Sequence, residues 1–512
     1  MLLSMPNSEK NSYQKLCALS KDGALLTTIS HILGWDQETK MPHDAIELRS
    51  EQNELIASLI HKEKTNPEFA KTLRTLIDLD TGSFLTPELT KQQQAALREW
   101  RRDYLQAVKL PNAFVEEFAK ATSASIHAWQ KARPENDFKS FQPHLEKIID
   151  LNLQKADYLG YKDHPYDALA DFFEPEMTTQ TLTNVFEKLK IPLMDLLKKI
   201  QTKVDPDASF LRKDYPHDKQ IAFTKQLLSD MGFHKGISRL DESAHPMCIP
   251  IHPKDMRMTT RVSTSDVLSN ILSCAHEGGH GLYHIQVPEE TFGTPLCDAA
   301  SLAIDESQSR TWETFIARSL PFWTHYFPLL QKAFPEQLGS ISLEAFYKAI
   351  NIVEPSMIRV ESDEVCYNLH VLLRFEIEKA LLEKTIKSAD IPEIWNEKMR
   401  EYLSITPKAL SEGCMQDIHW AMGAFGYFPT YTLGNLYAGQ FFETFSSDHP
   451  NWNEKLATGD LAFIREWQKE NIHQFGRQYL PEELCQKVSG QSLSEKPYMD
   501  YLTKKYTALY HL

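Results

Sequence analysis

In the stretch 266–285, DVLSNILSCAHEGGHGLYHI, the residues Leu268, Leu272, His276 and His280 recur at every fourth position. An α-helix places such a set on one stripe and stacks the two imidazoles about one turn apart. That is the spacing at which two neutral imidazole nitrogens reach one zinc ion, at roughly 2.0–2.1 Å each. Glu277 follows His276 directly and projects to the side of the pair, where it is placed to take a proton from an attacking water. The apolar residues above the histidines predict that this stripe faces a core or a cleft. Gly278, Gly279 and Gly281 each weaken a helix by roughly 0.8–1 kcal/mol relative to alanine. Such a run makes sense where a substrate or a neighbouring backbone must come close.

Two histidines leave a zinc site incomplete, so a third protein ligand is expected elsewhere. The extended H-E-x-x-H-x-x-G-x-x-H form fails, because Tyr283 and Gln286 stand where its glycine and last histidine would fall. His284 is a poor source, with its Cα about 12 Å along the helix axis from that of His276. A second helix is a better one. In PLCDAASLAIDESQSRTWETF (295–315), apolar Ala299, Ala300, Leu302, Ala303 and Ile304 precede Asp305 and Glu306, and Trp312 and Phe315 follow. The two acids lie about 100° apart around a helix, so one of them faces the metal, and periodicity leaves both open.

The chain before this region reads as helix after helix. Asn66-Pro67-Glu68 and Thr86-Pro87-Glu88 each set a capping side chain before a proline and an acid, which predicts two helix starts. In the second helix Leu97, Trp100, Tyr104, Leu105 and Val108 share a face, and Arg98, Arg101 and Arg102 lie off it as a solvated set. Between Gly236 and Ser265 the pattern changes to CIPIH and MRMTTRV, which predicts a small sheet or hairpin just before the metal helix. Its polar residues His245, Asp255, Arg257 and Thr259 are then either near the metal or part of a structural loop, and spacing leaves both open. Length alone allows about three domains, but no repeat, low-complexity run or Gly/Ser/Pro-rich linker divides the chain. A single body over 1–512 is expected, with the metal site supplied by 264–310.

A net charge of −15 with no basic block gives nucleic acid or an anionic membrane no evident purchase. The seven cysteines are scattered, with no CxxC pair, which suits free thiols in a reducing compartment and predicts a cytoplasmic protein. Neither a signal-peptide core nor a run of about 18 apolar residues is read in the chain.

The motifs together resemble a known family, the M32 metallocarboxypeptidases. The resemblance runs through WDQET and MP (Trp35 to Pro42), His245-Pro246, the D-x-R-x-T pattern at Asp255, Arg257 and Thr259, and HEGGH. It continues through GTPL at Gly293, ESQSR at Glu306, IRVESD at Ile358, GCMQDIHW at Gly413 and the stretch GAFGYFPTYTLGNLYA. Two positions depart from the family pattern: Asp305 stands where H-E-S-Q has histidine, and Met247 where H-P-F has phenylalanine.

The resemblance implies an all-α, gluzincin-type fold with a deep substrate groove and a small β-sheet beside the HExxH helix. It implies a homodimer that removes C-terminal residues one at a time from peptides. It makes Glu306 the third ligand, so that His276, His280 and Glu306 hold Zn²⁺, with Co²⁺ as a substitute, and Glu277 acts as general base. His419, Tyr427 and Tyr431 are the candidates for stabilising the oxyanion, and Gln416, Asp417 and Trp420 brace the groove. Arg359 is the expected grip on the substrate carboxylate, since a guanidinium binds a carboxylate bidentately. Without the resemblance it would read as one of a surface charge set with Glu361 and Asp363. Arg257, Thr259 and His245 complete the substrate-binding set. An aminopeptidase would show a G-x-M-E-N segment, and none is present. The remaining alternatives are an oligopeptidase that cuts internally and a non-catalytic peptide-binding scaffold.

Overall fold

The structure, a computed structural model, describes residues 7–512. Helices make up most of it, and local chemistry explains where they begin. Asn66 caps the helix Pro67–Leu73 by accepting from the Glu68 N–H at 2.9 Å, as its sequence predicts. The expected start at Thr86 is four residues early. Thr86-Pro87-Glu88 precedes the helix, which spans Lys91–Lys109 and begins at Thr90. There the Thr90 hydroxyl accepts from the Gln93 N–H while the Gln93 side chain accepts from the Thr90 N–H, so two otherwise orphaned donors are satisfied at once.

The arginines of that helix are not a solvated set either. Arg98 donates to the carbonyls of Arg477 and Gln478, Arg101 to those of Leu79 and Asp80, and Arg102 pairs with Asp171. Each ties the helix to a distant segment, so the charge pattern marks joints between elements.

Asn7–Thr39 and Ile46–Lys64 form a long helical hairpin, pinned where Arg49 donates to the Leu33 carbonyl (2.5 Å) and the Asp36 carboxylate (2.6 Å). A three-stranded sheet lies beside it. Strand β1 (Ser238–Glu242) runs parallel to β3 (Asp255–Thr260), and β2 (Met247–His252) pairs with β3 in antiparallel register. The β2–β3 pair is the expected hairpin. The sequence SRLDE of β1 has no β-branched residue to announce a strand, and it is held by pairing with β3 alone.

Met256 and Met258 of β3 are buried on the side of the helix Val267–Gln286. Asp266 caps that helix, accepting from the N–H groups of Leu268 (3.1 Å) and Ser269 (3.2 Å). One large apolar core extends from the helix Phe138–Leu159 to the helix Lys496–Tyr510, and a smaller one gathers around Leu16, Phe69, Leu73, Trp100 and Leu296. All seven cysteines are free thiols. Among the described residues no helix is long and apolar enough to cross a membrane.

Candidate active site

The HEGGH helix and the helix Leu302–Arg310 pack so tightly that a side chain at Gly279 would meet the Gln308 carbonyl at 2.5 Å. Gly278 and Gly281 leave room in the same way for Met231 and Phe233. The glycines therefore let neighbouring elements close on the helix, and the approach brings the third acid to the histidines. Glu306 Oε2 lies 3.7 Å from His276 Nε2 and 3.4 Å from His280 Nε2, and one donor atom from each residue falls within 4.8 Å of the other two. On the far side Gly434 of the helix Pro429–Asp448 faces Glu306 directly.

Asp305 and Glu306 part as their 100° offset requires. Asp305 turns away from the Nε2 atoms and sits 3.1 Å from His280 Nδ1, off the axis of the ring N–H, and 3.5 Å from His284 Nε2. His276 Nδ1 meets a carboxylate as well, Glu313 Oε2 at 2.8 Å. Both imidazoles thus present Nε2 to the shared point and Nδ1 to an acid, the arrangement that orients metal-ligating histidines. Sequence reasoning missed Glu313. The signal was its place seven residues after Glu306, two turns along one face, and the chain passes into a π-turn over Thr311–Ile316 that carries it. Arg310 donates to Glu313 at 2.6 Å and to Asn435 at 2.8 Å.

Charge and burial fit a divalent cation at the shared point. Four carboxylates, those of Glu277, Asp305, Glu306 and Glu313, are buried or half-buried here with Arg310 as the adjoining guanidinium. Burial raises the carboxyl pKa of Glu313, but Arg310 and His276 outweigh it and bring it down to about 2. Glu306 is likewise held below the ordinary range, against its burial, by His276 and His280. Burial works against charge on His276 and His280, but Glu306 and Asp305 outweigh it and raise both imidazoles, so an excess of buried anionic oxygen surrounds two histidines that a divalent cation could bind in place of their protons, the donor set of a zinc-type site. Glu277 differs from its neighbours. Burial pushes its carboxyl up, only partly offset by the two histidines, which suits a proton acceptor more than a ligand.

A second cluster joins His419, Tyr427, Tyr431 and Arg359, all expected from the sequence. His419 Nε2 is 3.2 Å from the Tyr431 hydroxyl, and its ring lies over Phe428 with centroids 4.5 Å apart. The Tyr427 and Tyr431 rings stand edge to face at 5.4 Å, and both hydroxyls feel the charge of Glu306. Burial pushes His419 down to about 4, so its imidazole is neutral at pH 7. Arg359 is only 4 % exposed and makes no surface set with Glu361 and Asp363. Its Nε and Nη2 donate to Asp417 Oδ1 (3.3 and 2.9 Å), its Nη1 donates to the Tyr367 hydroxyl (2.8 Å), and its guanidinium lies 4.6 Å from the centre of the Tyr431 ring.

Arg374 takes the other oxygen of Asp417 at 2.7 Å. Two guanidiniums share one carboxylate. Of the residues expected to brace the groove, Gln416 accepts from the Arg359 N–H, and Trp420 donates to buried Glu378, which also accepts from Tyr166 and the Gly426 N–H.

The third group, Arg257, Thr259 and His245, belongs to the sheet. Arg257 pairs with Asp255 and lies over the Trp35 ring at 4.7 Å, with Arg239 over the same ring at 4.6 Å. Thr259 is fully buried. Its hydroxyl bonds to Ser243 (2.6 Å) and accepts from the Met247 N–H (3.0 Å). His245 is exposed on the turn that these bonds hold. A cavity of about 330 Å³ opens between the first helix, β2 and the 292–298 segment. His284 forms part of its wall, which sets it behind Asp305 and apart from the shared point.

The model of the carboxypeptidase Taq (M32) metallopeptidase family matches residues 15–506. Thermostable carboxypeptidase 1 of Thermus thermophilus is 40% identical over 509 residues, covering 98% of this chain and 99% of the relative. Carboxypeptidase 1 of Bacillus subtilis is 37% identical, covering 95% and 98%. Among solved structures, the M32 carboxypeptidase of Deinococcus radiodurans superposes with a TM-score of 0.94 at 34% identity, covering 98% of this chain and all of that one. The carboxypeptidase of Pyrococcus furiosus superposes with a TM-score of 0.93 at 35% identity, with the same coverage. With a family model spanning nearly its whole length and relatives matched end to end, the chain belongs to the carboxypeptidase Taq (M32) metallopeptidase family.

Proposed function

We propose that the protein is a zinc-dependent carboxypeptidase that releases single residues from the free C terminus of peptides. The observation that carries this reading is the convergence of His276, His280 and Glu306 on one point with Glu277 adjoining them. Family membership and end-to-end likeness to carboxypeptidases support it. His276, His280 and Glu306 would hold the ion, with Co²⁺ able to replace Zn²⁺. Zinc bound there supplies Lewis acidity and lowers the pKa of a water toward about 7.

The chain's own residues do the rest. Glu277 accepts the proton of the attacking water at its carboxylate and delivers it to the leaving amine. His419, Tyr427 and Tyr431 form the side of the site on which the oxyanion develops at the scissile carbonyl, with a tyrosine O–H as its donor. Arg359 receives the terminal carboxylate: three of its five N–H donors are committed, and two remain for a bidentate grip. One positive charge beyond what Asp417 neutralises is available in that cluster for an anion. Arg257, Thr259 and His245 shape the substrate wall at the sheet, with Thr259 acting through the turn that carries His245. We further assign the protein to the cytoplasm, on its free thiols, and to a homodimer, as the family resemblance implies.

Glu277→Gln tests the assignment of roles. Catalysis should fall by roughly 10²–10⁴-fold, the worth of general-base assistance, while metal content measured by plasma mass spectrometry stays at one zinc per chain. Loss of the metal together with the activity would make Glu277 a ligand and overturn the reading.

A further inference from the structure

His419 has two ring nitrogens in unequal settings. Nε2 is 3.2 Å from the Tyr431 hydroxyl, whereas Nδ1 is buried without a hydrogen-bond partner and stands 4.0 Å from Asp417 Oδ1. The ring is fixed between them by Phe428 below it and Tyr427 beside it. The charged groups that face it are Asp417, Arg359 and Arg374.

A neutral imidazole has one N–H to place. On Nε2, it would leave a bare Nδ1 lone pair pointing at a carboxylate in a low-dielectric pocket, which is repulsive. On Nδ1, it gives Asp417 an attractive partner and frees Nε2 to accept from a donor. The donor in reach is the Tyr431 O–H.

We propose that Asp417, His419 and Tyr431 form a positioning relay, in which Asp417 holds His419 in the Nδ1–H form and His419 takes the Tyr431 proton as a hydrogen bond. The proposal rests on the carboxypeptidase reading and divides the labour of the two tyrosines. With its proton directed to His419, the Tyr431 oxygen presents lone pairs to the groove and accepts a substrate backbone N–H. Oxyanion stabilisation then falls to Tyr427, whose hydroxyl pairs with that of Tyr431 in the free site and turns to the oxyanion once a substrate N–H takes its place on the Tyr431 oxygen. The relay also joins recognition to chemistry. Asp417 is the residue that engages Arg359, so a carboxylate on the two uncommitted Arg359 donors shares the guanidinium charge with Asp417 Oδ1 and lets the 4.0 Å gap to Nδ1 close.

The direct test is the tautomer of His419 in the wild-type enzyme, which needs no change at Asp417. With ¹⁵N-histidine labelling and His419→Gln to assign the signal, the imidazole nitrogens at pH 7 should report Nδ1–H. An Nε2–H signal overturns the relay. Kinetics give a second, independent reading. Tyr427→Phe should lower kcat by about 10²–10³-fold, as loss of an oxyanion donor does, whereas Tyr431→Phe should raise KM about tenfold with kcat changed less than about threefold. The opposite split overturns the division of labour. A wild type with the Nδ1–H signal but no peptidase activity supports the relay and removes the carboxypeptidase reading instead.

Discussion

Gly434 stands against Glu306 so closely that a Cβ added to it would come within 2.5 Å of Glu306 Cγ and 2.8 Å of Glu306 Cβ. The helix Pro429–Asp448 thus backs Glu306, the proposed third ligand, with a glycine, and the carboxylate is held toward the histidines by main chain. Gly434→Ala must displace Glu306. Its zinc affinity, read by competition with a chromogenic chelator, should fall about 10–100-fold, in the range seen when the support of a ligand is disturbed. Unchanged affinity would mean that Glu306 is free to move and that its placement does not depend on this contact.

Asp305 and Glu306 give a paired prediction. Glu306→Ala removes an oxygen from the shared point, whereas Asp305→Ala removes the acid beside His280 Nδ1. Metal occupancy after gel filtration should collapse in the first variant and persist in the second, with affinity in the second reduced at most about 10–100-fold. Equal losses would show that Asp305 has taken on the role of a ligand, and that its departure from H-E-S-Q is functional.

Buried Glu378 predicts a stability that depends on pH. Burial raises its carboxyl to about 7 from an ordinary 4.5, despite donors from Tyr166, Gly426 and Trp420. A carboxyl raised on folding stabilises the native state fully below its unfolded pKa and loses that contribution as pH rises through the folded value. The window is therefore pH 4.5 to 7, and the loss is on the order of 3 kcal/mol. Glu174, raised to about 7 by burial as well, adds a similar term. The Tm of Glu378→Gln should vary less between pH 5 and pH 8 than that of the wild type. An identical slope in both proteins would rule out Glu378 as its source.

What the sequence made legible, and what it hid, follows from the range of the interactions. The HEGGH helix and the β2–β3 pair are local patterns, and they appear where the residues predict. Contacts across the chain were harder to read. Arg98, Arg101 and Arg102 look solvated because their partners lie on elements far away in sequence. Arg359 looked like part of a surface set, yet it is buried against Asp417, 58 residues on. The choice between Asp305 and Glu306 required knowing which way the Leu302–Arg310 helix is rotated, and that is set by its packing on Gly279 and Gly434. Glu313 was missed because an acid that pairs with a histidine across helices leaves no motif, only a spacing along a face.

On the proposed function, the site cuts from the C terminus because Arg359 reads a carboxylate while Glu277 works at the metal. The measurement that tests it most directly compares one peptide with a free C terminus and its amidated twin, with and without chelator, on the wild type and Arg359→Ala, with products read by mass. The wild type should yield a ladder of single-residue losses from the free peptide alone, abolished by the chelator. Arg359→Ala should lower kcat/KM on that peptide by about 10- to 150-fold, the worth of a charge-assisted pair at roughly 1.5–3 kcal/mol, with little further loss on the amide. Internal fragments from both peptides, or equal losses on both, would contradict the account.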